Sequence, residues 1–428
     1  MPAYSAVGST CLGETKMTIR RAATAAACAV FLLAGCSSGF GSDSSSEQDS
    51  GKKQHLNVMI GSSGDAETKA VKSAAAAWAK KTGNTVTVTP AQNLDQQLGQ
   101  ALAGGKPPDV FYVGSSTFAN YAKGNSLYAY GDELAGKDDF APSLRASFTY
   151  DDKFVCAPKD SSTLALAVNT KLWKQAGLTD ADYPKNWDDL EKVARKLTTG
   201  KVTGLVVNSS YNALGAFMRQ AGGWITDKDQ TKVTADSAAN VKALTYVRKL
   251  LKEGVLKFPK QVDTGWGGEA LGTRKAAMTI EGNWLAGAMT ADYPGVDYKV
   301  VPLPEGPAGK GTLSFSTCWG IANKSAHHDA AVSLVEHLTA DAQQVTFAGA
   351  YGVLPSRTSA LDTFREKYPA QRVFADGSAY AQGPVTVPGF TKVLTQFDSD
   401  LGGLATADPK KILADLQRNG TQVLGSAG

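Results

Sequence analysis

From His55 onward, apolar and polar positions alternate between two rhythms. LNVMI (56–60) is a compact apolar run of strand length. The stretch after it offers Ser63 or Asp65 as a helix cap and sets Val71, Ala74, Ala75 and Trp78 on one helical stripe. Gly83 is the stop. TVTVT (85–89) alternates at period two, as a half-buried strand does. Leu94, Leu98 and Leu102 share a helix face, DVFYV (109–113) predicts a strand, and Phe118, Tyr121 and Ala122 open another helix. Strand alternating with helix predicts βαβ units and a mainly parallel sheet.

The rhythm recurs further on. STLALAVN (162–169) and GLVVN (204–208) predict strands. Between them, Trp187, Leu190, Val193, Ala194 and Leu197 fall at helical spacing within 186–199. Further helices fit 212–221, 238–253, 268–275, 328–347 and 409–424. The pattern predicts an α/β chain of two lobes, with no tandem repeat.

The amino-terminal end follows neither rhythm. Arg20 and Arg21 precede an apolar run, 22–33, that is shorter than the roughly 20 residues of a membrane span. A charged start, a short apolar stretch and small residues are the marks of a secretory signal. Met17 fits its beginning better than Met1, because 1–16 carry Glu14 and little apolar character. Leu33-Ala34-Gly35-Cys36 resembles the bacterial lipobox, which implies a diacylglyceryl group on Cys36 and cleavage before it. The expectation is therefore a signal over 1–35 and a lipidated, Ser- and Gly-rich tether over 36–54. A flexible tether of this kind reaches roughly 25 Å. It would hold the body at the extracellular face of the cell membrane.

Composition adds limits. The formal net charge is +4 and no basic stripe interleaves with aromatics, so a nucleic-acid partner is not expected. Cys11, Cys28 and Cys36 belong to the leader and the lipobox, which leaves Cys156 and Cys318. Outside the cell, two remaining cysteines point to one disulfide, with two separate buried thiols as the alternative.

Six short motifs then arrive in order: GGKPPDVFYV (104–113), CAPKDSSTLALAVNTKLWKQAGL (156–178), NWDDLEKVARKL (186–197), RQAGGW (219–224), KAAMTIEGNWLAG (275–287) and YGVLPSR (351–357). Together they resemble the carbohydrate branch of the extracellular solute-binding proteins of bacterial ABC importers, the branch that includes maltose-binding protein. The resemblance spans nearly all of 56–428. It implies the type II periplasmic-binding-protein fold, two hinge-connected lobes with a central ligand cleft. By the same resemblance the first lobe takes 55–158 plus 321–350 and the second 161–318 plus 355–428. Both remaining cysteines would then lie beside crossovers. A monomer that binds a sugar or oligosaccharide and serves an ABC permease is implied, with no cofactor, no metal and no catalysis.

A sugar presents hydroxyls at its edge and C–H patches on its faces. Its site needs side chains that donate and accept hydrogen bonds, together with aromatic platforms. Such groups belong in loops at the carboxyl ends of strands. The candidates are Ser62 and Asp65 after the first strand, Ser116 and Thr117 after the third, and Asp160 and Ser161 on the crossover. Asn208, Tyr211 and Asn212 follow a strand of the second lobe, and Tyr351 lies near the hinge. Glu281, Asn283 and Trp284 lie in EGNWLAG. Trp284 stands where the family stacks a Trp on a sugar ring. Trp224, Trp266 and Trp319 complete the set. A glycosidase would need two carboxylates facing the sugar, and Asp160 with Glu281 is the pair that reading would use. A metal-chelate receptor is the third alternative, although no cluster of tyrosines is visible. No HExxH, paired-Cys spacing or Gly-x-Ser-x-Gly elbow is present.

Overall fold

The computed structural model describes residues 53–427. The signal segment 1–35, Met17, Cys36 and nearly all of the tether lie outside the described residues. None of the described helices is long and apolar enough to cross a membrane.

The chain builds two larger sheets. The first has five strands, ordered Thr85–Pro90, His55–Ile60, Val110–Gly114, Thr317–Ile321 and Ala157–Pro158. Its first three strands run parallel, as the βαβ pattern predicts. Thr317–Ile321 enters antiparallel, between Val110–Gly114 and Ala157–Pro158. The second sheet has seven strands and is centred on Ser162–Asn169 and Ala276–Gly282, which pair antiparallel. Both of these strands are buried at every position, as strands covered on both faces must be.

Each sheet has its own core. Leu56, Val58, Ile60, Trp78, Phe111 and Phe118 fill the first, and Leu166, Trp187, Leu190, Leu214, Phe217 and Leu244 fill the second. Burying one such large side chain stabilises by about 1.5–3 kcal/mol. The chain passes between the sheets at Lys159–Ser161 and again at Ser316. It returns where Leu354 exchanges backbone hydrogen bonds with Ser161 (2.8 and 2.9 Å). Cys156, just before the strand Ala157–Pro158, and Cys318, in Thr317–Ile321, form a disulfide, with Cα atoms 5.7 Å apart and both side chains buried.

The predicted stripes form helices Asp65–Thr82 and Trp187–Leu197 with the expected buried faces. Asn186 caps the second helix by accepting from Asp189 N–H at 2.9 Å. The first helix starts differently from expectation. Its N-cap is Gly64, with no side-chain cap, because the Ser63 hydroxyl and N–H both donate to Glu67 Oε2 at 2.7 Å.

The single helix expected over 328–347 is two, His328–Leu338 and Asp341–Tyr351. The break follows Thr339, whose carbonyl accepts from the buried Arg357 guanidinium at 2.7 Å instead of continuing the ladder. The helix expected over 268–275 is a short one, Gly267–Gly272. Arg274 then takes a left-handed φ of 60° and turns the chain into the next strand.

Candidate functional site

A cavity of about 160 Å³ lies where the two sheets face each other. The first sheet contributes Gly114, Ser115 and Ser116, at the carboxyl end of Val110–Gly114. The second sheet contributes Leu313–Ser316, from the strand that leads into the crossover, and Gln382–Pro384. Tyr211 and Asn212 come from the start of the helix Tyr211–Gln220, and Trp224 follows that helix. No charged side chain lines this cavity among the described residues. Burial, with Asp398 as a second cause, pushes the Tyr211 phenol up to about 12, so it stands as a neutral hydroxyl. The Tyr211 N–H donates to Asp398 Oδ1 at 2.6 Å, and burial raises that carboxyl to about 6.

Two buried polar groupings flank the crossover. In one, Lys159 Nζ donates to Glu67 Oε1 at 3.0 Å and also to Asp160, while Tyr112 OH donates to Glu67 Oε1 at 2.9 Å. Burial pushes the Lys159 ammonium down, but Asp160, Tyr112, Tyr351 and Glu67 outweigh it and hold it well above its usual value. Burial also pushes Glu67 up, and there Lys159 and Ser63 win and lower it. For Asp160 burial wins against Lys159, and its carboxyl rises to about 6.

The other grouping centres on Glu281. Trp284 Nε1–H donates to its Oε2 at 3.0 Å and Asn208 Nδ2–H to its Oε1 at 3.2 Å, joined by the backbone of Gly267 and Gly268. Burial still dominates and raises Glu281 to about 7. Beside it, Asn283 donates to the Gly352 carbonyl and accepts from Ser162, which ties the crossover to the chain after Tyr351. Trp284 folds over Gly282, where a Cβ would lie 2.3 Å from the indole. Its ring meets Phe315, a cavity residue, edge-on at 5.5 Å. Trp284 is 39% exposed and is the one large apolar side chain, among the described residues, that stands out at the surface.

The structure thus brings Ser116, Tyr211, Asn212 and Trp224 to the cavity wall, with Glu281, Asn208, Asn283 and Trp284 beside it. The rest of the set lies elsewhere. Trp319 differs from expectation: it is 1% exposed, packs edge-on against Tyr112 in the first core and does not line the cavity. Ser62 donates to the Gly64 carbonyl, and Asp65 is exposed in the first helical turn. Thr117 donates back to Gly114, and Ser161 donates to the Pro355 carbonyl. Trp266 lies over Gly268 and packs with Leu271 and Leu285. Tyr351 sits over Lys159, 5.5 Å from its ammonium.

Asp160 and Glu281, the pair a glycosidase would use, are held by Lys159 and by Trp284 with Asn208, and neither lines the cavity. No group of three or more His, Cys, Asp or Glu able to hold a metal ion occurs among the described residues. Sequence reasoning missed Ser314, Phe315 and Ser316. Their alternation just before Cys318 was a usable signal, whereas nothing local marks Gln382–Pro384.

Two α/β lobes joined by crossing strands around an uncharged cavity have the layout of a hinged binding protein. Residues 62–345 match the bacterial extracellular solute-binding protein family, and the chain belongs to that family. It is 26% identical over 275 residues to the diacetylchitobiose binding protein DasA of Streptomyces coelicolor, covering 62% of this chain and 64% of that protein. It is 28% identical over 176 residues to an arabinooligosaccharide-binding protein of Bacillus subtilis, covering 40% of each. The chain therefore spans less than two thirds of the length of these relatives. Among solved structures, the GacH receptor of Streptomyces glaucescens superimposes with a TM-score of 0.77 at 21% identity, over 88% of this chain and 99% of that one.

Proposed function

We propose that the chain is a receptor that captures a neutral sugar or short oligosaccharide between its lobes and delivers it to the membrane subunits of an ABC importer. One observation carries this reading: the cavity wall combines hydroxyls and amides (Ser115, Ser116, Tyr211, Asn212, Gln382) with Trp224 and Phe315, and bears no ion. That is the complement of a ring with hydroxyls at its edge and C–H groups on its faces. The carbohydrate ligands named for DasA and for the Bacillus protein support the same class. Acarbose in the GacH complex is consistent with it.

In this reading the lobes are 55–158 with 321–350 and 161–318 with 355–428, except that Thr317 and Cys318 pair with Gly114 and Val113 and so go with the first lobe. Ligand touching both favours the closed arrangement by its differential affinity for it. Trp284 is the stacking platform at the cavity edge, with Glu281 and Asn208 holding its indole in place. Cys36 carries the lipid that keeps the body, a monomer, at the outer face of the membrane. No bond is made or broken in the ligand.

A thermal-shift series over mono- and oligosaccharides tests the reading, because a ligand that binds only the native state stabilises it by about 2.7 kcal/mol at a hundredfold excess over Kd. A raised melting temperature with at least one sugar is expected. A flat response to every sugar at millimolar concentration would end the proposal.

A further inference from the structure

Residues 381–391 leave the second sheet at Ala381–Gln382, which pairs with Thr312–Phe315, and run across to the first lobe. At Gly383 a Cβ would lie 3.3 Å from the Ser147 hydroxyl of the first lobe. Further along, Gly389 N–H donates to Asn120 Oδ1 at 2.9 Å, and the Thr391 hydroxyl donates to the Ser116 carbonyl at 2.9 Å. On the second-lobe side, Gln230 Oε1 accepts from Thr386 N–H at 2.7 Å. The segment is thus a strap hydrogen-bonded to both lobes, and it holds Ser116, itself a cavity residue.

Consecutive stretches of this strap face two spaces. Gln382–Pro384 line the 160 Å³ cavity. Thr386–Pro388 line a second, open space of about 690 Å³, whose other wall is Phe140, Arg145 and Tyr150 of the first lobe. A ligand that extended from the first cavity toward the second space would meet the strap between them. The cavity is also smaller than the roughly 300–1,000 Å³ of sites for drug-sized ligands.

We infer that the strap 381–391 is a length-selecting wall that restricts the cavity to a single sugar ring or a disaccharide and excludes longer chains. This rests on the sugar-binding reading and adds the chain length of the ligand to it. Asn120 and Thr391 are positioning residues here, since they reach the ligand only through the strap and through Ser116.

The test is calorimetric titration of the full-length protein with two ladders, malto-oligosaccharides and chito-oligosaccharides, each from one to five rings. On any ladder that binds, the wild type is expected to bind the one- or two-ring member most tightly and the four- and five-ring members at least tenfold more weakly. In the double variant Asn120→Ala, Thr391→Val, the short member loses about tenfold, the scale of two net hydrogen bonds. The long members lose less or gain, so the length preference narrows. Both positions lie at the surface of their elements, and a melting curve confirms that the variant is folded. Wild type that binds four or five rings as tightly as two overturns the inference and leaves the sugar reading intact. An unchanged length preference in the folded double variant also overturns it. Wild type that binds no sugar of any length overturns the reading and the inference together.

Discussion

The indole N–H of Trp284 donates to Glu281 Oε2 at 3.0 Å, which couples the large exposed ring to a carboxylate that is 2% exposed. A hydrogen bond to a buried, fixed acceptor removes the freedom an exposed Trp would otherwise have. Its face is thereby presented beside Phe315 with little ordering left to be done by a ligand.

Trp284→Ala is therefore expected to weaken sugar binding by at least tenfold, about 1.4 kcal/mol. Because the ring is 39% exposed, the apo protein should lose much less than the roughly 3–5 kcal/mol of a core Trp deletion. Calorimetric titration with a parallel apo melting curve separates the two roles. Unchanged affinity combined with a collapsed melting temperature would show a core residue instead.

The Cys156–Cys318 bridge closes a separation of 162 residues, for which loop entropy predicts a stabilisation of about 5 kcal/mol. Cys318 lies in the first sheet and Cys156 directly precedes that sheet's Ala157–Pro158 strand, so the bridge restrains one lobe and leaves the movement between lobes free. Cys156→Ala with Cys318→Ala should lower the unfolding free energy by several kcal/mol and leave the sugar Kd within about twofold, under half a kcal/mol. Chemical denaturation and titration of the same preparation check both halves. A large loss of affinity would place the bridge in the binding machinery.

If Cys36 carries the proposed lipid, Cys36→Ala should release the protein into the medium or leave it uncleaved, since two acyl chains would supply firm anchoring and their loss would remove it. Membrane fractionation with intact mass reads this directly. A mutant still found processed and in the membrane fraction would refute lipidation at Cys36.

How much of this was legible varies with the kind of force involved. The stripes Val71–Trp78 and Trp187–Leu197 were plain in the sequence, because a helix that buries one face must repeat its apolar positions. The disulfide was legible as one of two alternatives, a bridge or two separate buried thiols, and the structure has the bridge. The split of 328–347 was not, because Thr339 and Ala340 are no stronger breakers than their neighbours. The break comes from Arg357, 18 residues away, taking the Thr339 carbonyl. Trp319 and Trp284 both lie within two residues of a glycine, yet one is core and one is exposed, a difference made by the sheet strand that carries the first and the helix start that carries the second. The strap at 381–391 has no periodicity at all, and its role arises only from the partners it reaches on the other lobe.

Lys159 neutralises two buried carboxylates, Glu67 and Asp160, at the crossover. Removing one partner of such a group strands buried charge and costs about 3–5 kcal/mol. Lys159→Met keeps the stem and removes the charge, and should show that loss at pH 8. Lowering the pH to about 5 should restore part of it, because Asp160 already titrates near 6 with Lys159 present and would titrate higher without it. Urea unfolding at the two pH values measures the recovery. A penalty of equal size at both would mean that the carboxylates are not the cause.

Glu281 supplies the last test. Burial raises its carboxyl from an ordinary 4.5 to about 7, so between those values the folded state holds a proton that the unfolded state has lost. Stability falls with rising pH wherever the folded state binds more protons. This group's contribution is thus greatest below about 4.5 and is lost as pH rises through 7, on the order of 3 kcal/mol in all. Asp160 and Asp398, each raised to about 6, act with the same sign, so the wild-type slope has other contributors. Glu281→Gln cannot ionise and removes only its own share. The unfolding free energy of the variant relative to wild type should therefore improve from pH 5 to pH 8 by up to that amount. The fixed cost of an amide facing the donors of Trp284 and Asn208 cancels in the difference. The same difference at both pH values would mean that Glu281 is already ionised at pH 5, held so by its four donors rather than neutralised by burial.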